Sequence, residues 1–102
     1  MAAEIRWTPE ATETFQSIIV WLEQQWNERE ISEFIRKTQN TILHISEYPE
    51  MFKASSKRDI RIAKITAQIN LFYKIHKSEN TIALLSFWDN RQDPEKGSSL
   101  PL

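Results

Sequence analysis

Two amphipathic stretches separated by about one residue constrain this chain more than any other feature of its sequence. Between residues 9 and 26, Ala11, Phe15, Ile18, Ile19, Leu22 and Trp26 recur at helical spacing, while Glu13, Gln16, Glu23 and Gln24 lie elsewhere on the circumference. Thr8 can accept from the orphan N–H groups of a first turn, Pro9 suits that turn, and Glu10 faces the positive end of the macrodipole. This pattern predicts a first helix from Pro9 to Trp26, about 27 Å long at 1.5 Å per residue. A second stripe at Ile31, Phe34, Ile35, Thr38, Ile42 and Ile45 predicts another helix, which ends where Pro49 disfavours helix at Tyr48. Asn27 suits both the end of the first helix and the cap of the second, with Glu30 as its capping-box partner. Helices joined so closely fold back as an antiparallel hairpin. Their common apolar surface then needs a cover.

The rest of the chain supplies it. "AAEIRW" (residues 2–7) alternates like a strand, with Ile5 and Trp7 on one face. "DIRIAKI" (59–65), "INLFYKIH" (69–76) and "TIALLSFW" (81–88) are rich in β-branched and aromatic residues, and the short links "TAQ" and "KSEN" make them antiparallel neighbours. In the middle segment Ile69, Leu71, Tyr73 and Ile75 share one face, and Asn70, Phe72, Lys74 and His76 the other. The last segment is apolar on both faces, as a central strand is, and Trp88 is expected to anchor its end in the core. The fold class is α+β, in the order β-α-α-β-β-β, with a small antiparallel sheet packed on an αα-hairpin. One domain over residues 1–94 and a flexible tail over 95–102, which holds the only glycine, complete the expected organisation.

Composition narrows the function classes. There is no cysteine, so neither a disulfide framework nor a thiolate metal site is called for. The longest strictly apolar run, Ile18 to Leu22, is too short to span a bilayer, and Glu4 and Arg6 interrupt any signal-peptide core, so a cytoplasmic protein without membrane contact is expected. The two histidines, His44 and His76, show no metal-binding spacing; no nucleophile elbow or glycine-rich phosphate loop is present, and no cofactor or small-molecule substrate is implied. The charge is uneven along the chain. Residues 1–52 carry four Lys/Arg against nine Asp/Glu, and residues 53–102 carry nine against five, so an acidic partner is expected to meet the second half.

Within that half, "KASSKRDIRIAK" sets Lys53, Lys57, Arg58, Arg61 and Lys64 against the single Asp59. Such a cluster can bind phosphate or carboxylate, and the same charges on an edge strand also suppress aggregation. With Asn70, Lys74 and His76 on the sheet face away from the helices, and Arg91 after the last strand, it can form one basic concave surface. Trp21 and Val20 lie off the first helical stripe. They are either solitary exposed apolar residues or contacts for a partner chain.

Taken in order, the strand leading into "TPEA", the helical hairpin, "YPEMFK", the basic strand, "INLFYKI" and the closing "FWDNRQDP" resemble the RelE/ParE superfamily of bacterial type II toxins, which includes plasmid-stabilisation proteins. The resemblance spans about residues 2–94. It implies a cognate antitoxin whose C-terminal segment wraps the toxin, and one of two activities. RelE-like members cleave mRNA on the ribosome with basic residues of the sheet and usually a tyrosine near the C-terminus, whereas ParE-like members inhibit DNA gyrase. Here Asn70 stands where the ribonucleases often carry arginine, and no tyrosine follows Tyr73. The resemblance therefore favours a non-enzymatic, ParE-like gyrase inhibitor, with Arg58, Arg61, Lys64, Lys74 and Arg91 as contacts to target or antitoxin. An mRNA endonuclease using Arg61, Lys64, His76 and Arg91 is the alternative, and a non-toxic antitoxin-binding member is the third.

Overall fold

The computed structural model describes residues 2–25, 27–55 and 59–91. The elements are β1 (Glu4–Trp7), α1 (Pro9–Gln24), α2 (Glu28–Glu47), β2 (Arg61–Lys64), β3 (Ile69–His76) and β4 (Thr81–Asp89), with one 3₁₀ turn at Lys77–Glu79. The expected order holds. Trp26, Lys57, Arg58, Pro94 and the proposed tail 95–102 lie outside the described residues.

The helix starts differ from each other. Thr8 caps α1 as expected: its Oγ1 accepts from the Ala11 N–H at 3.1 Å and donates to the Leu84 carbonyl at 2.7 Å, so the cap also ties the helix to β4. Asn27 makes no side-chain cap bond to α2, and its φ of −110° is not left-handed. The expected capping box is not formed: the Asn27 N–H donates to the Leu22 carbonyl at 3.2 Å, and the Glu30 carboxylate accepts from Arg91. Asn80, at φ 50° and ψ 45°, closes the turn between β3 and β4 in the left-handed conformation that asparagine tolerates better than most residues.

The sheet order is β1-β4-β3-β2, which makes β4 central and β2 an edge. β2–β3 and β3–β4 are antiparallel; β1 runs parallel to β4, with Glu4 opposite Thr81 and Trp7 opposite Leu84. A parallel partner suits β1 because the whole helical hairpin and two strands intervene before β4. Beyond Leu84, α1 takes over from β1: the Thr14 hydroxyl accepts from the Phe87 N–H at 2.9 Å.

One irregularity sets the facing of the last strand. Phe72 pairs with Ser86 and Tyr73 with Leu84, so Leu85 bulges out of the ladder. Before the bulge Ile82 and Leu84 face the helices; after it Phe87 and Asp89 do. Trp88 is therefore turned to the outer face opposite Asn70 instead of into the core, because the extra residue inverts the alternation expected from the sequence.

The core lies between the hairpin and one sheet face. Ile18 and Leu22 of α1, Phe34 and Ile45 of α2, and Leu71, Tyr73, Ile82, Leu84 and Phe87 of the sheet are buried together. Trp7, Phe15, Phe34 and Phe87 bring one ring from each of β1, α1, α2 and β4 into contact, with centroids 5.0–6.1 Å apart. Three of these five contacts are edge-to-face, a geometry that adds to the burial of the rings themselves. Phe34 is the means by which α2 joins this cluster. Phe34→Ala is expected to lower the unfolding free energy by about 3–5 kcal/mol in urea denaturation, through lost burial and the cavity left behind.

Candidate functional site

The sheet's two-residue period separates the basic residues singled out in the sequence. On the outer face, away from the helices, the register places Lys64 beside Asn70 and Trp88, and Ile62 beside Phe72 and Ser86. Farther along the same face Arg6, Ala83 and Lys74 form one row, and Glu4, Thr81 and His76 the next. Lys64, Lys74 and His76 thus share a face, but not a point. Asn70 and His76 lie roughly 20 Å apart along β3 at about 3.4 Å per residue. Arg6, which sequence reasoning left out, joins this face about 10 Å from Lys74 across two strand spacings; the signal for it was its parity with Glu4 on β1. Arg6 and Glu4 make an exposed ion pair at 3.6 Å. Ile62 is the exposed apolar residue in the middle of the edge strand.

Arg61 is on the opposite side. It shares a row with the buried Tyr73, and its side chain is only 17% exposed. Its Nη1 donates to the Phe52 carbonyl and its Nη2 lies 3.8 Å from the Glu50 carboxylate, which also meets Lys77 at 3.8 Å. Tyr73 Oη donates to the Pro49 carbonyl at 2.8 Å. Arg61 and Tyr73 together therefore fasten the loop that follows α2, and the "YPEMFK" segment is held from beneath. Burial pushes the Tyr73 phenol above its ordinary pKa, against the opposing influence of nearby Arg61.

Arg91 lies at the other end of the sheet from His76, where Asp89 pairs with Ile69. The inward-facing Asp89, with a fully buried side chain, accepts from the Arg91 backbone N–H at 2.9 Å, from Nε at 3.1 Å and from Nη2 at 3.0 Å. Nη1 donates to Glu30 of α2, and the guanidinium carbon sits 5.1 Å from the Trp21 ring centroid of α1. The hydrogen bonds to Asp89, outweighing burial, hold the Arg91 pKa above its usual value. Trp21 thereby has a role within the chain, as the platform beneath Arg91, whereas Val20 is exposed.

The set Arg61, Lys64, His76 and Arg91 is thus not brought together: it is divided between two faces and two ends of the sheet. Among the described residues no group of three or more histidine, cysteine or acidic side chains is placed to hold a metal ion. No described helix is long and apolar enough to cross a membrane.

A helical hairpin laid on a four-stranded sheet in the order β1-β4-β3-β2 defines a small α+β protein. The chain belongs to the family described as the ParE toxin of type II toxin–antitoxin systems, parDE, whose sequence profile matches residues 5–94. No curated protein sequence matches it. Among solved structures, a chain of the toxin–antitoxin complex RelBE2 from Mycobacterium tuberculosis superposes with a TM-score of 0.64 at 14% identity, covering 87% of this chain and 99% of that one. A mutant of the E. coli toxin RelE in the free state gives 0.60 at 13% identity, covering 95% and 93%. A metal-bound toxin from Helicobacter pylori gives 0.56 at 14% identity, covering 89% and 98%. At these identities the structures establish a shared fold.

The buried phenol has a measurable consequence. A neutral Tyr73 with a raised pKa contributes stability that is complete below the unfolded-state value of about 10 and is lost as pH climbs through the folded value. Urea unfolding between pH 8 and 11 is expected to show a steeper alkaline loss of stability in the wild type than in Tyr73→Phe, with Tyr48→Phe, an exposed control, matching the wild type.

Proposed function

We propose that this ParE-family toxin acts by binding, inhibiting DNA gyrase without catalysing a reaction, and that a cognate antitoxin neutralises it. The observation that carries this reading is the dispersal of its ionisable residues. Metal-independent cleavage of RNA needs groups converging on one phosphodiester to activate the 2′-hydroxyl, stabilise the phosphorane and protonate the leaving oxygen. Lys64, Lys74 and His76 are strung along the outer face, Arg61 is committed to the Phe52 carbonyl and Glu50, and Arg91 to Asp89 and Glu30. The Tyr73 hydroxyl is bonded to the Pro49 carbonyl. A spaced set of cations suits recognition of an acidic or polyanionic surface better than bond breaking.

The outer face has the features of a contact surface. Lys64 and Lys74 flank the exposed Ile62, and Arg6 extends the positive row across β4. In this reading Lys64 and Lys74 touch the target. Arg58 extends the same positive stretch in sequence, and Arg61 and Arg91 shape the surface from behind and from its end. The toxin–antitoxin complex among the structural neighbours supports an antitoxin as the second partner.

An mRNA endonuclease working on the ribosome is the second reading, favoured by the similarity to the RelE structure and by Lys74 and His76 standing two residues apart on one face. The two are separated with purified protein. Supercoiling by gyrase is expected to be inhibited at micromolar excess, with ribosome-bound transcripts left intact. Cut transcripts together with unaffected supercoiling would replace the binding mechanism by the endonuclease, and neither effect would leave the non-toxic antitoxin-binding module.

A further inference from the structure

We infer that Glu30 is an internal competitor for Arg91: it occupies the guanidinium edge that an acidic side chain of a partner protein takes over on binding. The inference rests on the reading of this chain as a toxin with protein partners and adds the mechanism by which one of them is admitted.

The two carboxylates on Arg91 are not equivalent. Asp89 is fully buried, belongs to the same strand end and engages Nε, Nη2 and the backbone N–H, so it fixes the guanidinium plane. Glu30 comes from α2, is 43% exposed and engages Nη1 alone. Displacing Asp89 would strand a buried charge; displacing Glu30 returns a half-solvated carboxylate to water. Trp21 lies against the guanidinium, so the group stays in place while one partner is exchanged for another. The incoming carboxylate therefore meets a fork already oriented to receive it.

Glu30 also has somewhere to go. It sits in the first turn of α2, where Asn27 supplies no side-chain cap. A carboxylate freed at this position is stabilised by the unpaired N–H groups and the positive end of the helix.

The surroundings identify the occupant. Beside Glu30 a cleft of about 240 Å³ opens between α2 and the β2–β3 turn, lined by Leu22, Phe34 and Ile69 and bordered by Thr66 and Gln68. It has room for an aliphatic side chain next to the acidic one. Glu33 and Lys37 line the same cleft, and Glu23, Glu28 and Arg29 border the neighbouring one, so acidic groups outnumber basic ones and a run of phosphates is less favoured than a single carboxylate in a peptide. The ligand is a protein segment carrying an acidic residue beside an aliphatic one.

The test uses the full chain, ¹⁵N-labelled, titrated with a blocked tetrapeptide, acetyl-Ala-Leu-Glu-Ala-amide, which carries one carboxylate beside one aliphatic side chain. The Arg91 Nε–H and Trp21 Nε1–H resonances are followed. Glu30→Gln is expected to bind the peptide about three- to tenfold more tightly than wild type, as removal of a part-exposed charged competitor implies. Glu30→Asp, too short to reach Arg91, is expected to do the same with the net charge unchanged, which guards against a folding defect in the first variant. Glu79→Gln, in the 3₁₀ turn at the opposite end of the sheet, is expected to match wild type. Arg91→Gln is expected to lose the Trp21 response. Unchanged or weaker peptide binding in both Glu30 variants overturns the inference, as does a hexathymidylate that shifts the same resonances at lower concentration than the peptide. Tighter binding in the Glu30 variants of a protein that leaves gyrase untouched would uphold the exchange and reject the gyrase reading alone.

Discussion

Leu85 has no partner across the β3–β4 ladder, and this one extra residue sets the facing of everything after it. Without the bulge, the parity of Leu84 would pass to Ser86 and Trp88, and the core would receive a serine and an indole. With it, Phe87 completes the aromatic cluster and Asp89 turns inward. A buried aspartate needs a cation and hydrogen-bond donors, and Arg91, two residues on, supplies both. The arginine then bridges to Glu30 and lies on Trp21, so the end of the central strand is joined to both helices. A slip in register becomes a join between layers.

The same alternation organises the outer surface. Because Arg61 shares its row with Tyr73, it is drawn to the loop after α2; because Lys64 shares its row with Asn70, it is left facing outward. The protein thus uses two of its arginines to hold structure and places Lys64 and Lys74, with Arg6, on the outer face of the sheet. Lysine on a flexible stem is suited to following an irregular acidic surface, whereas the planar arginine fork is suited to fixed carbonyl and carboxylate partners. This division of labour is the physical basis for proposing a binding protein over a nuclease, within a family that the match over residues 5–94 establishes.

Much of this was legible in the sequence. The helical stripes, the Thr8 cap and the alternation within β3 follow from local periodicity, which the packed structure preserves. The centrality of β4 followed from its being apolar on both faces. What was not legible depends on contacts between residues far apart in the chain. The bulge at Leu85 has no glycine or proline to announce it and is set by packing against α1 and β3. Asn27 and Glu30 read as a capping box because local sequence cannot know that Arg91, 61 positions away, claims the carboxylate. Arg61 and Lys64 read as one cluster because they are three residues apart, and only the pleat shows that an odd separation puts them on opposite faces.

The bulge turns Asp89 and Arg91 toward the helices and Trp88 away from them. The most direct measurement is a set of nuclear Overhauser contacts on the isotope-labelled protein. Cross-peaks are expected from Arg91 Nε–H to the Trp21 ring and from the Phe87 amide to Thr14, with the Trp88 ring contacting Asn70. Cross-peaks from the Trp88 ring to Phe34 and Leu22, with none between Arg91 and Trp21, would show a regular strand with the opposite phase and contradict it.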